Sequence, residues 1–193
     1  LPVIIHDLQG DQGAFTWVVT ATLLTTAIST PIWGKLADLM DRKMLFQVAL
    51  VIFVGASAAA GFTNDPTFLI VCRVVQGLGG GGLIILSQTV IADIVPVRER
   101  GKYMGVMGGV FALSSVVGPL IGGWITEGPG WRYAFWMSVA LGVIALAGVV
   151  FFLKLPKHHG RVSVDVWGML TLGVATVAVI LTITWGGSTY DWA

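Results

Sequence analysis

Two sets of polar residues interrupt a sequence that otherwise reads as hydrocarbon, and both could do electrostatic rather than covalent work. The first is Gly34-Lys-Leu-Ala-Asp-Leu-Met-Asp-Arg-Lys43, where Lys35, Asp38, Asp41, Arg42 and Lys43 crowd between two long apolar runs. An acid at the end of one helix and two bases at the start of the next can form a charge network that holds two helices in one conformation and releases them in another. The same residues also fit a solvated loop whose bases only set orientation. The second set surrounds Arg73, about a turn and a half into an apolar run, where a charge is expensive and usually kept for a function. At about 100° per residue, Arg73, Gln76, Gly77, Gly80, Ser87 and, more loosely, Gln88 share one face. Such a stripe suits a helix lining a cavity; an arginine snorkelling to the outer interface is the alternative. Asp93 points away from the stripe and lies near the charged end of its run, so its expected partners are Asp38 and Arg42 rather than Arg73.

Other motifs carry less chemistry. Gly77-Leu-Gly-Gly-Gly-Gly82 has the letters of a dinucleotide fingerprint, but that motif needs a preceding strand and a helix N-terminus behind it, whereas these glycines lie inside one apolar run. Close helix contact explains them better, with Gly77 and Gly81 as a small-xxx-small pair. Gly105 and Gly109 repeat the spacing, as do Gly118 and Gly122. Pro119 adds a bend point, so Gly118-Pro-Leu-Ile-Gly-Gly123 reads either as a hinge or as a tight crossing. No nucleophile has a base beside it. His6, His158 and His159 fall in loops, and the histidine pair is too sparse for a metal site. The single cysteine, Cys72, reads as a small buried residue.

The elements that position these residues follow from composition. The chain of 193 residues is 55% hydrophobic and 11% charged, with a mean hydropathy of +0.86, against about 25% charged in soluble domains. Its formal net charge of +1 is spread over separate loops, so no nucleic-acid-binding face forms. Apolar runs at 15–37, 44–62, 67–95, 103–126, 131–153 and 164–185 each approach the roughly 20 residues that a spanning helix needs. Barrel strands would be about ten residues long with strict alternation. The predicted fold is therefore an all-α integral membrane protein, a polytopic bundle with about six transmembrane helices. Lys35, Arg42, Lys43, Arg98, Arg100, Lys102, Lys154, Lys157 and Arg161 fall in or beside alternate loops, nine of the eleven bases. That asymmetry places those loops in the cytoplasm and both ends of the chain outside. The chain opens on Leu1-Pro-Val-Ile-Ile5 without an initiator methionine or a signal peptide, as an internal piece of a longer protein would.

These pieces together resemble the major facilitator superfamily of secondary transporters. Gly34-x-Leu36-Ala37-Asp38-x-x-x-Arg42-Lys43 is similar to its signature loop between helices two and three. Ile70-x-x-Arg73-x-x-Gln76-Gly77 is similar to its fourth-helix motif, and Gly118-Pro119-x-x-Gly122-Gly123 to the fifth-helix motif associated with antiporters. Trp17-Val-Val-Thr20, Trp131-Arg132-Tyr133 and Trp185-Gly-Gly-Ser-Thr-Tyr-Asp-Trp192 resemble the fourteen-helix drug:proton antiporter branch. One departure stands out: Asp41 occupies a position where the loop usually has glycine.

The resemblance implies that residues 1–155 form the N-terminal half of a transporter lacking most of helix one, that 156–163 is a cytoplasmic connector, and that 164–193 is an extra helix with its external end. It implies a plasma-membrane protein exporting lipophilic small molecules in exchange for protons by alternating access. No cofactor is implied beyond the proton gradient. Substrate, protons, lipid, the missing first helix and the C-terminal half would be its partners. Gly34, Asp38, Arg42, Lys43 and Asp93 would form the gating network. Arg73, Gln76, Gly77 and Gln88 would line the cavity and couple proton movement, and Gly118, Pro119, Gly122 and Gly123 would pack or bend. A symporter, a siderophore or antibiotic exporter, and a non-transporting scaffold of the same fold are the alternatives.

Overall fold

Long apolar runs satisfy their own backbone by winding into helices, since lipid offers no hydrogen-bond partners. The structure, a computed structural model, describes Ile4, Asp7, residues 12–155 and residues 166–185. Its helices are α1 (Gln12–Leu39), α2 (Arg42–Gly61), α3 (Pro66–Ile94), α4 (Arg100–Glu127), α5 (Arg132–Phe152) and α6 (Val166–Trp185). Each expected run lies within about a turn of a helix. The connector at 156–163, the external end after Trp185, and the three histidines lie outside the described residues. Among the described residues, four helices, α2 to α5, are long and apolar enough to cross a membrane. Helix α1 is 28 residues long, with its charged residues Lys35 and Asp38 near its end.

Local chemistry sets the helix ends. Asp41, the residue standing where the signature loop usually has glycine, caps α2: its carboxylate accepts from the backbone N–H of Lys43 at 2.9 Å and of Met44 at 3.2 Å. Such a cap contributes about 1 kcal/mol. The carboxylate that departs from the usual loop is thus engaged by the α2 backbone. Asp65 caps α3 in the same way, accepting from Thr67 N at 3.0 Å, with Pro66 in the first turn. At the other end of α3 the Arg100 guanidinium donates to the Val95 carbonyl, at 3.2 Å, and to the Ala92 carbonyl. Gly130 turns the chain between α4 and α5 with φ of 111°, a left-handed conformation that favours glycine.

Helix α3 is the centre of the bundle, packed on α1 along one side and on α2 along the other, while α2 backs onto α5 and α6 rests on α1. The glycine run makes both approaches possible. A Cβ on Gly77 would lie 2.7 Å from the Thr22 carbonyl, and one on Gly81 would be 2.7 Å from the Thr26 carbonyl and would overlap the Ser29 hydroxyl. On the next face, a Cβ on Gly79 would be 2.8 Å from the Ala49 carbonyl, and one on Gly82 would be 2.8 Å from the Trp33 ring. Trp33 lies on this gap and donates its indole N–H to the Leu78 carbonyl at 2.8 Å. Thr26 and Ser29 donate to the Gly77 carbonyl at 3.3 and 3.4 Å, so α1 is joined to α3 by hydroxyls as well as by close packing. Gly81→Val is expected to destabilise the protein by roughly 3 kcal/mol, because backbone on α1 must move to admit it. Gly55→Ala, where nothing lies within 4 Å of the new Cβ, should be neutral; thermal unfolding in detergent compares the two.

Helix α4 behaves differently. It touches α3 and α5 only lightly, and none of its most apolar stretch is buried. A Cβ on Gly105, Gly109, Gly118, Gly122 or Gly123 would meet nothing within 4 Å. Among the described residues, the face carrying Gly118, Pro119, Gly122 and Gly123 is open. Pro119 lies inside a helix that continues to Glu127.

Candidate functional site

Two polar clusters stand at different depths of the bundle. At the end where α1 leaves and α2 begins, the Arg42 guanidinium forms a very close ion pair with Asp93 near the end of α3. Its Nε also donates to the Ala37 carbonyl at 3.0 Å. Both side chains of the pair are well covered, 18% and 14% exposed. Asp38 approaches the same guanidinium at 3.9 Å but is 51% exposed, so solvent screens it. Lys43 reaches across to α5 and donates to the Val150 carbonyl at 3.0 Å. Gly34 sits on α1 against Ile85 of α3, 3.6 Å from a notional Cβ. The structure therefore brings Asp38, Arg42 and Asp93 together and ties α1, α2, α3 and α5 at one end.

The second cluster lies in the other half of α3, about two turns from its start. Arg73 Nη1 donates to Gln76 Oε1 at 2.9 Å, and its guanidinium sits 4.9 Å from the centre of the Phe135 ring on α5. Gln76 in turn donates from Nε2 to Ser57 Oγ on α2 at 2.8 Å. A cation at this depth needs hydrogen-bond acceptors and benefits from an aromatic face; both are supplied by neighbours. The Arg73 Nε has no hydrogen-bond partner among the described residues.

The polar stripe expected along α3 is divided. Arg73 and Gln76 turn toward α2 and α5, whereas Gly77 and Gly81 press on α1. Gln88 is exposed, and Ser87 bonds back to the Ile84 carbonyl at 2.9 Å. An apolar groove of about 510 Å³ lies beside Ser87, Phe46, Val90, Met107 and Phe152, and neither Arg73 nor Gln76 lines it. Among the described residues, Arg73, Gln76, Gly77 and Gln88 thus do not share one environment. The reason is that four positions spread over a helix face meet different neighbours once two helices flank it. Sequence reasoning missed Ser57 and Phe135. A serine and a phenylalanine inside apolar runs give no local sign of facing an arginine elsewhere in the chain.

The far end of the bundle is held by Arg132, the base on the side opposite the others. It donates to the Thr63 carbonyl at 3.1 Å and to Asn64 Oδ1 at 2.8 Å, and lies 3.5 Å from the Asp7 carboxylate. Asp7 also accepts from the Trp131 indole at 2.8 Å. The start of α5 is in this way fastened to the turn between α2 and α3.

A bundle of long apolar helices with charge confined to helix ends and one intramembrane arginine defines a polytopic membrane protein. The chain matches the family model of the Major Facilitator Superfamily over residues 1–190. It belongs to that superfamily. It is 38% identical over 192 residues to Multidrug transporter protein MdtP of Bacillus subtilis (strain 168), covering all of this chain and 35% of that protein. Multidrug resistance protein 3 of the same organism is 37% identical over 189 residues, 98% of this chain and 37% of its own length. MFS-type efflux pump LUC4 of Fusarium sp is 35% identical over 199 residues, with 100% and 35% covered. The chain therefore spans about a third of the length of these curated relatives. Family membership and the four apolar helices place it in a membrane.

Proposed function

We propose that the chain is part of a secondary transporter that exports lipophilic small molecules in exchange for protons. The observation that carries this reading is Arg73: a guanidinium inside a spanning helix, held by Gln76 and Phe135 rather than by a carboxylate. Charges at that depth mark substrate, ion or proton pathways. The names of the similar proteins, multidrug transporters and an efflux pump, support export. The fifth-helix resemblance of Gly118-Pro119-x-x-Gly122-Gly123 supports antiport.

Under alternating access the helices rock about a central site. Arg42, with Asp93 and Asp38, latches one of the two states, and Gly34 and Lys43 frame that latch. Arg73, with Gln76 beside it, responds to the proton carried by an acidic group elsewhere in the complete protein. The open glycine-proline face of α4 receives helices from outside residues 12–155. The proton gradient supplies the energy, and no cofactor takes part. The protein is not an enzyme; its partners are substrate, protons, lipid, a first helix and a second half. It sits in the plasma membrane with both ends of this segment outside.

Proteoliposomes containing the complete protein and loaded with a lipophilic cationic dye test this reading. An imposed pH gradient should drive dye movement that a protonophore stops. Dye movement indifferent to the gradient would leave a uniporter, and none at all would favour the non-transporting scaffold.

A further inference from the structure

We infer that Ser57 is a positioning residue for Arg73, acting through Gln76. The inference rests on the proposed role of Arg73 for its functional consequence, but its structural content stands on geometry alone. Three hydrogen bonds run in series: Arg73 Nη1 to Gln76 Oε1 at 2.9 Å, Gln76 Nε2 to Ser57 Oγ at 2.8 Å, and Ser57 Oγ to the Phe53 carbonyl at 2.8 Å.

Donor chemistry fixes the direction of this series. A guanidinium only donates, so the amide must turn its oxygen toward Arg73, which leaves the NH2 to find an acceptor on the other side. Ser57 is that acceptor, because its own proton is used on the carbonyl four residues back in α2. The hydroxyl thus presents a lone pair to Gln76 and cannot readily reverse its role. Burial makes the arrangement strict: Ser57 is 0% exposed and Gln76 is 6% exposed, so water does not substitute for a missing link.

The consequence concerns the guanidinium. The bond to Gln76 is the one hydrogen bond Arg73 makes among the described residues, the other restraint being the face of Phe135. With Ser57 present, the amide has one usable orientation and the guanidinium one anchor. With Ser57 changed to alanine, the buried NH2 of Gln76 loses its acceptor. The amide then gains by turning toward other acceptors, and its oxygen leaves Arg73. Ser57 lies on α2, Arg73 on α3 and Phe135 on α5, so the series also transmits any relative movement of α2 and α3 to the charge. A shift of α2 large enough to part Ser57 from Gln76 releases Arg73 from its resting orientation. In a transporter whose helices rock, that would make the orientation of Arg73 depend on conformational state.

The experiment uses the complete protein in nanodiscs, labelled with nitrogen-15 in arginine side chains, the Arg73 signal being assigned by its disappearance in Arg73→Lys. The expected result is that Ser57→Ala shifts or broadens the Arg73 guanidinium signal, while Ser57→Thr, which keeps the hydroxyl, retains the wild-type signal. An Arg73 signal unchanged by Ser57→Ala in folded protein would overturn the proposal. Transport supplies the second readout. Ser57→Ala should displace the midpoint of the pH profile of dye efflux by on the order of half to one pH unit, the scale of one hydrogen bond. Ser57→Thr should restore the wild-type midpoint, which a loss of packing alone would not predict. If the Arg73 signal moves but the pH profile does not, the positioning role stands and the coupling role of Arg73 fails. If the signal does not move, the positioning role fails whatever transport does.

Discussion

Arg73→Ala in the complete protein is expected to abolish gradient-driven efflux while membrane expression and folding persist. Arg73 is a charge in a spanning helix whose Nε has no hydrogen-bond partner among the described residues, an arrangement that folding alone gains little from. Removing the side chain relieves that cost, leaves Gln76 bonded to Ser57, and opens a space beside Phe135. Thermal stability should therefore fall little, while efflux should drop by about a hundredfold or more, the scale for removing a preorganised charge from a dry site. Arg73→Lys should recover only part of the activity. A lysine keeps the charge but not the planar fork that spans Gln76 and the Phe135 face. Efflux assays in cells lacking their own exporters, with expression checked by immunoblot, measure both variants; wild-type efflux from Arg73→Ala would remove the coupling role.

The second large effect concerns the ion pair that fastens α2 to α3. Asp93→Asn should lower thermal stability by about 2 kcal/mol, the scale of a hydrogen bond to a charged group, and should slow turnover several-fold. The asparagine still offers an oxygen to Arg42 but leaves a mostly covered guanidinium without its counter-charge. Asp38→Asn should matter less to stability, about 0.3–0.5 kcal/mol, as for exposed pairs one helical turn apart. Its carboxylate stands 3.9 Å from Arg42 and is half exposed. The two carboxylates are thus unequal, although both belong to the same cluster in sequence terms. A larger loss from Asp38→Asn than from Asp93→Asn, in unfolding and turnover alike, would reverse that ranking.

Much of this architecture is legible in the sequence, for a physical reason. A helix that must cross lipid leaves an uninterrupted apolar run of fixed length, so the six elements could be bounded from composition alone. The charges at the ends of the first two runs were legible too, because Asp93 falls on the opposite side of α3 from Arg73 and near the end where Arg42 lies. The Arg73 environment was not. Periodicity groups Arg73 with Gly77 and Gln88 on one face, but α1 and α2 both pack on α3 and divide that face between them. Ser57 and Phe135 were invisible because their importance is set by a partner on another helix. The spacing of the glycine run implies one close contact; the run serves two, with Trp33 seated across it. On α4 the glycine spacing looked like another crossing, yet spacing alone does not supply a partner, and the described residues leave that face open.

The central claim, that export is exchanged for protons, is tested most directly by running the process from the substrate side. Proteoliposomes with the complete protein and a pH-sensitive dye in the lumen are given a lipophilic substrate on one side only, with no pH gradient imposed. Substrate moving down its gradient should drive protons the opposite way, changing lumen pH in wild type but not in Arg73→Ala. Substrate movement in wild type with no accompanying change in lumen pH would contradict proton exchange.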